Sequence, residues 1–153
     1  MHIAQGNEGC MIIEEAIAIH APIEKVWNTF TDLTCWMQWN TVIRNVRSDE
    51  RSLSNGKEVK CSLYPFLFPI TVNLRIKELI PHELIVWSAR KKGLYARHEF
   101  IFGKKDNSVL VTSRETFTGL LSKASGALLP KRKMQALTTR FLKDLKKASE
   151  AGG

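Results

Sequence analysis

No stretch of the 153-residue sequence supplies the roughly 20 consecutive apolar residues that a bilayer-spanning helix needs. The opening MHIAQGNEGC lacks a basic run followed by an apolar core, so it does not read as a secretory leader, and the expected location is the cytoplasm. Cysteine is scarce. Cys10, Cys35 and Cys61 are odd in number, widely spaced and without a CxxC pair, which argues against a disulfide framework and predicts three free thiols. The histidines His2, His20, His82 and His98 show neither HxxxH nor HExxH spacing, so no metal site is expected. There is no GxSxG elbow, no GxxxxGK[ST] phosphate cradle and no GxGxxG dinucleotide turn, and no cofactor is expected.

What the chain does have is positive charge, unevenly placed. The net charge is +8, and from Gly119 onward eight basic residues (Lys123, Lys131, Arg132, Lys133, Arg140, Lys143, Lys146 and Lys147) face only Asp144 and Glu150, so +6 of it lies in the last segment. After Pro130 the apolar residues fall at Met134, Leu137, Phe141, Leu145 and Ala148, steps of three and four that put them on one face of a helix. That stripe needs a large apolar surface to lie on. The basic face opposite, through Lys131, Arg132, Lys133, Lys143, Lys146 and Lys147, can meet an anionic partner or simply keep the chain soluble. Gly126 and Pro130 predict that the final helical segment is split or kinked.

The preceding chain supplies strands. Residues 1–9 are polar and read as a flexible tail, leaving one domain over residues 10–150. Ile13, Ile17 and Ile19 share one parity, as in a half-buried strand; Glu15 interrupts that parity, and a bulge or edge position is the favoured explanation. Ile23, Val26, Trp27, Phe30 and Leu33 then form the stripe of a short amphipathic helix, and Thr34 is placed to cap a second short one carrying Trp36 and Trp39. Beyond Thr41 the period becomes two: Val59, Cys61 and Leu63; Ile70, Val72, Leu74 and Ile76; His98, Phe100 and Phe102; Val109, Val111, Ser113, Glu115 and Phe117. Ser54-Asn55-Gly56, Pro81-His82-Glu83, Lys92-Gly93 and Asp106-Asn107 mark turns between them, as in an antiparallel meander.

This order, a strand, two short helices, a meander and a long last helix, resembles the helix-grip fold of the START-like (SRPBCC) superfamily, which includes polyketide cyclases and dehydrases, lipid-transfer domains and coenzyme Q-binding proteins. The matching stretch is IAIHAPIEKVWNTFTDLTCWMQWN from Ile17 to Asn40, followed by Gly56 opening a strand, Pro81 before Leu84 to Trp87, and Glu115 to Gly119 before the last helix. The resemblance implies an α+β fold in which a curved antiparallel sheet of about six or seven strands grips the C-terminal helix. It also implies a cavity between them for a lipid, quinone or polyketide-like molecule.

Inward parity nominates the cavity's walls: Trp39, Tyr64, Phe68, Trp87, His98, Phe100, Glu115, Phe117, Leu137 and Phe141. On inward parities His98 and Glu115, with Glu15 as a weaker third, are the candidates to polarise or deprotonate a bound carbonyl compound. Arg114 takes the other parity and is expected to face outward. Three functions stay open: binding or transport of a hydrophobic small molecule, a cyclase/dehydrase reaction on a keto compound, and an interaction module working through the basic helix.

Overall fold

The computed structural model describes residues 10–64, 69–119 and 130–152. The expected tail, the expected kink at Gly126 and the site candidate Phe68 lie outside these residues. The period-two segments become seven strands: β1 Cys10–Ile19, β2 Arg44–Arg47, β3 Glu58–Leu63, β4 Ile70–Ile80, β5 Leu84–Lys91, β6 Leu94–Lys105 and β7 Ser108–Gly119. They form one curved, wholly antiparallel sheet in the order β1-β7-β6-β5-β4-β3-β2. After β1 come the helix α1 (Ile23–Thr31), a 3-10 turn (Leu33–Cys35) and the single-turn helix α2 (Trp36–Trp39); the long helix α3 covers Lys131–Glu150.

α1 begins at Pro22, whose carbonyl accepts from the N–H groups of Lys25 and Val26 at 3.0 and 3.1 Å. Its apolar stripe buries Ile23, Val26, Trp27 and Phe30. Thr34 does not cap α2, which begins after Cys35 without a side-chain cap. The 3-10 turn before it is capped by Asp32, whose Oδ1 accepts from Thr34 N at 3.0 Å and from the Thr34 hydroxyl, and that side-chain hydrogen bond holds the Asp32 carboxyl below its ordinary range. Further on, the amide of buried Asn40 ties α2 to the chain entering β2: its Nδ2 donates to Trp36 O at 2.7 Å, and its Oδ1 accepts from Ile43 N at 2.6 Å.

Of two expectations about faces, that for Glu15 resolves to its edge alternative and that for α3 needs correcting. β1 carries no bulge: its register against β7 is unbroken from Cys10↔Thr118 to Ile19↔Val109, with Glu15 opposite Ser113. Because β1 is the sheet's edge, Glu15 keeps the inward parity yet reaches the rim, where its Oε1 accepts from Gln135 Nε2 of α3 at 2.7 Å. The buried stripe of α3 is also wider than the spacing predicts. Met134, Phe141 and Leu145 are buried and Leu137 partly so, but Thr138, Leu142 and Ser149 are buried with them, since the helix lies in a concave sheet and also meets α1. Arg114 is exposed, as its parity predicts.

Glycine is required where β7 ends. Gly119 has φ +120°, and a Cβ there would sit 2.0 Å from the carbonyl oxygen of Gly93 in the β5–β6 turn. No side chain fits. The three cysteines are free, as expected. They are not equivalent, because burial pushes the Cys61 thiol up to about 12, so it carries almost no thiolate at neutral pH. Treating the folded protein with a thiol reagent at neutral pH is expected to label Cys10 and Cys35 quickly and Cys61 only on unfolding. Equal rates at all three would show that the β3 face is open to solvent.

Candidate functional site

α1 and α2 plug one end of the space between sheet and α3 with rings. Phe30, fully buried, meets Phe100 at 4.7 Å between centroids, Phe141 at 5.6 Å, Phe102 at 5.7 Å and Trp87 at 5.8 Å. Above this plug the side chains stop meeting, and a cavity of about 580 Å³ opens between β4–β7 and α3. That size suits a drug- or lipid-sized ligand.

Of the nominated residues, Trp87, His98, Phe100, Glu115, Phe117, Leu137 and Phe141 line this cavity together. Trp39 and Tyr64 do not. Trp39 packs behind Phe141, ring centroids 5.4 Å apart, which leaves Phe141 between it and the space. Tyr64 follows the end of β3 and is 44% exposed. The wall also has members that parity analysis does not single out. Val72, Leu74, Ala89, Leu94 and Ala96 complete the sheet side, and Thr138 adds a hydroxyl from α3. Ala89 and Ala96, direct cross-strand partners, give the cavity its room: where larger residues would fill the centre of the sheet, these leave it hollow.

The polar centre is built by strand register. His98 of β6 stands opposite Glu115 of β7, and Phe100 opposite Ser113. His98 Nδ1 lies 3.2 Å from Glu115 Oε2, and its Nε2 lies 2.6 Å from Ser113 Oγ. A carboxylate only accepts, so in the neutral imidazole Nδ1 carries the proton and Nε2 accepts from the serine hydroxyl. The ring is stacked on Phe100 at 4.0 Å and meets the edge of Trp87 at 5.6 Å. Exposure separates the roles: the side chains of His98 and Glu115 keep 12% and 15% of their surface accessible, whereas Ser113 is wholly buried. His98 and Glu115 both line the cavity and are held against each other, and buried Ser113 holds His98 from behind. The serine is no nucleophile for a cavity ligand. Parity puts Ser113 on the inward face without singling it out; a small hydroxyl between Val111 and Glu115 is the available signal.

The basic residues of α3 are elsewhere. Lys131, Arg132, Lys133, Lys143 and Lys147 are exposed on the outer face, but Lys146 is half-buried along the edge strand, donating to Ala18 O at 2.7 Å and to Glu150 Oε1 at 2.6 Å. Lys146 therefore fastens α3 to β1 rather than facing a partner, and its hydrogen bond holds the Glu150 carboxyl below its ordinary range. Among the described residues no group of three His, Cys, Asp or Glu side chains is placed to hold a metal, and no helix is long and apolar enough to cross a membrane.

A family model described as polyketide cyclase/dehydrase and lipid transport matches residues 11–150. No curated protein matches the sequence. Among solved structures, a hypothetical protein from Helicobacter pylori superposes with a TM-score of 0.76 at 18% identity, over 95% of this chain and 92% of that one. A protein from Thermus thermophilus gives a TM-score of 0.78 at 14% identity, over 94% and 99%. The di-domain ARO/CYC protein BexL of the BE-7585A biosynthetic pathway gives 0.77 at 15% identity; 97% of this chain is covered but only 52% of that protein. At these identities the likeness is one of fold.

The Ser113→Ala variant tests the polar centre. It leaves the ring nitrogen of His98 without its partner, which is expected to cost about 1–3 kcal/mol in urea unfolding. A loss below about 0.5 kcal/mol would mean that the hydroxyl carries no weight in holding the histidine.

Proposed function

The chain belongs to the polyketide cyclase/dehydrase and lipid-transport family, and from that premise we propose that it binds a hydrophobic small molecule, such as a lipid, quinone or polyketide-like compound, in the cavity between sheet and α3. The observation that carries this reading is the composition of the wall. Most of the lining side chains are apolar, with Glu115, His98 and Thr138 as a polar centre and Arg90, Lys91 and Lys92 at the end near the β5–β6 turn. Burial of an apolar ligand body against such walls is worth about 25 cal/mol per Å² removed from water, before the costs of association. One accepting carboxylate then orients a hydroxyl or enol of the ligand, because that group loses its water on entry and needs a partner.

A second reading has a specific observation behind it. Glu115 is backed by a histidine that is itself locked by a buried serine, and such a chain can take up a proton from a bound keto compound as well as accept a hydrogen bond. Under this reading Glu115 is the base, and His98 holds its carboxylate in place. The family's cyclase/dehydrase members make the reaction class reasonable, and the carboxylate is the group on which it would depend.

Titration with a fatty acid, a quinone and a flat phenol, followed by displacement of a fluorescent apolar probe, tests both. Phe141→Trp is expected to fill the cavity and weaken uptake of all three at least tenfold, with an overpacking cost of about 1–3 kcal/mol. Glu115→Gln is expected to weaken the phenol more than the plain hydrocarbon chain. Equal binding by all variants, or no binding by any, would reduce the cavity to a packing gap. Turnover of a keto substrate that survives in Glu115→Gln would remove the catalytic reading.

A further inference from the structure

The sheet is not closed along its length. Pairing between β4 and β5 runs from Ile80↔Leu84 to Arg75↔Ser88 and stops there. Beyond that point Ile70–Leu74 of β4 pair only with β3, and Ala89–Lys91 of β5 only with β6, among the described residues. The two strands flank the cavity at this split, since Ile70, Val72 and Leu74 on one side and Ala89, Lys91 and Lys92 on the other all line it.

Lys91 spans the split. Along β5 it shares the inward parity of Trp87 and Ala89, and its cross-strand partner Leu94 lines the same cavity. Its Nζ donates to the carbonyl of Thr71 on β4. In an antiparallel strand the N–H and C=O of one residue point to the same side, so the N–H of Thr71 is turned toward the split too. Arg90 also borders the cavity, but it takes the opposite parity and its guanidinium lies over the ring of Tyr95 at 4.8 Å. Among the described residues no carboxylate lies within ion-pair distance of Lys91. An exposed cation at the rim of an apolar cavity, held by a neutral carbonyl and retaining two further donors, is complementary to an anion.

We infer that the cavity's ligand is an amphipathic anion, carrying a carboxylate or phosphate monoester that stops at Lys91 in the β4–β5 split while its apolar body lies inside. This rests on the reading of the cavity as a ligand site and adds the charge of the ligand and the place of its charged end. The spacing sets a length. On β6, Leu94, the partner of Lys91, is four residues from His98, about 13 Å along the strand, so the anionic end and the group that meets Glu115 sit at opposite ends of the ligand. Like charge favours this order: Glu115 repels an anion from the deep end, and Lys91 with Lys92 attracts it at the split.

The test is a titration of the wild type and of Lys91→Gln, Lys91→Glu and Lys92→Gln with dodecanoate, its methyl ester and dodecyl phosphate. At low salt the wild type is expected to prefer one or both anions over the ester by roughly three- to tenfold, and the preference is expected to shrink as ionic strength rises. It is expected to vanish in Lys91→Gln, to reverse in Lys91→Glu and to shrink only in part in Lys92→Gln. Preference for dodecanoate alone identifies a carboxylate end, and for dodecyl phosphate alone a phosphate end. If ester and anions bind the wild type equally, the charge inference fails while the cavity reading stands. If none of the three binds, both fail. Because the readout is a ratio within each variant, a general loss of stability does not imitate the result.

Discussion

The packing of Phe30 is the constraint on which the site depends. Its ring is wholly buried and touches rings from α2, β5, β6 and α3 at once. A short helix placed directly after the first strand can plug one end of a curved sheet only if something large projects from it, and Phe30 with Trp27 does so. The same contacts fix Trp87, Phe100 and Phe141, which turn their other sides to the cavity. The core and the cavity therefore share a wall. Truncating Phe30 would merge the two volumes, and at about 3–5 kcal/mol for a buried Phe→Ala change it would threaten the fold before it informed on ligand binding. That is why variants that fill the cavity, rather than those that enlarge the core, separate function from stability here.

Above that plug, the polar centre shows what strand register can do that sequence proximity cannot. His98 and Glu115 are 17 positions apart, yet they are direct partners across β6 and β7, two pairs along from Phe100 and Ser113. Each member satisfies the next, and the order of burial runs from Ser113, sealed, to Glu115, accessible. In a low-dielectric wall such a chain is stable only when fully partnered. A rigid carboxylate with one side facing an apolar space is equally suited to orienting a hydroxyl and to removing a proton. Geometry alone leaves those two uses joined, and the ligand's chemistry separates them.

Much of this is legible in the sequence because two periodicities carry it. The stripe Ile23, Val26, Trp27, Phe30 marks α1, and alternation from Val59 to Phe117 marks a meander whose order matches the observed sheet. The inward residues Trp87, His98, Phe100, Glu115 and Phe117 follow from parity. What parity does not give is depth. Tyr64 is an aromatic close in sequence to the cavity's strands but stands exposed beyond the end of β3, and Trp39 has the right size but the wrong layer, behind Phe141. Glu15 keeps its parity on an edge strand, where inward no longer means enclosed. Ala89 and Ala96 escape notice for the opposite reason: a cavity is made by what is missing, and small residues leave little trace in a search for large ones.

The sheet itself bears a cost for holding a cavity. A sheet curved tightly enough to grip α3 needs extra twist, and β4 supplies it with an irregularity between Ile76 and Glu78. A bulge strengthens local twist and turns its strand away from the neighbour. Pairing with β5 ends at Arg75↔Ser88, directly after that irregularity in the direction of the cavity's open end. The strands that would otherwise seal the wall diverge, and the backbone left at the split requires other partners. Lys91 meets one of these needs through Thr71 O. A side chain long enough to span the split, and charged so that its remaining donors want an anion, fits both the mechanical problem and the ligand. The irregularity at Ile76–Glu78 lets the strands part, and Lys91 on the neighbouring strand bridges the gap that results.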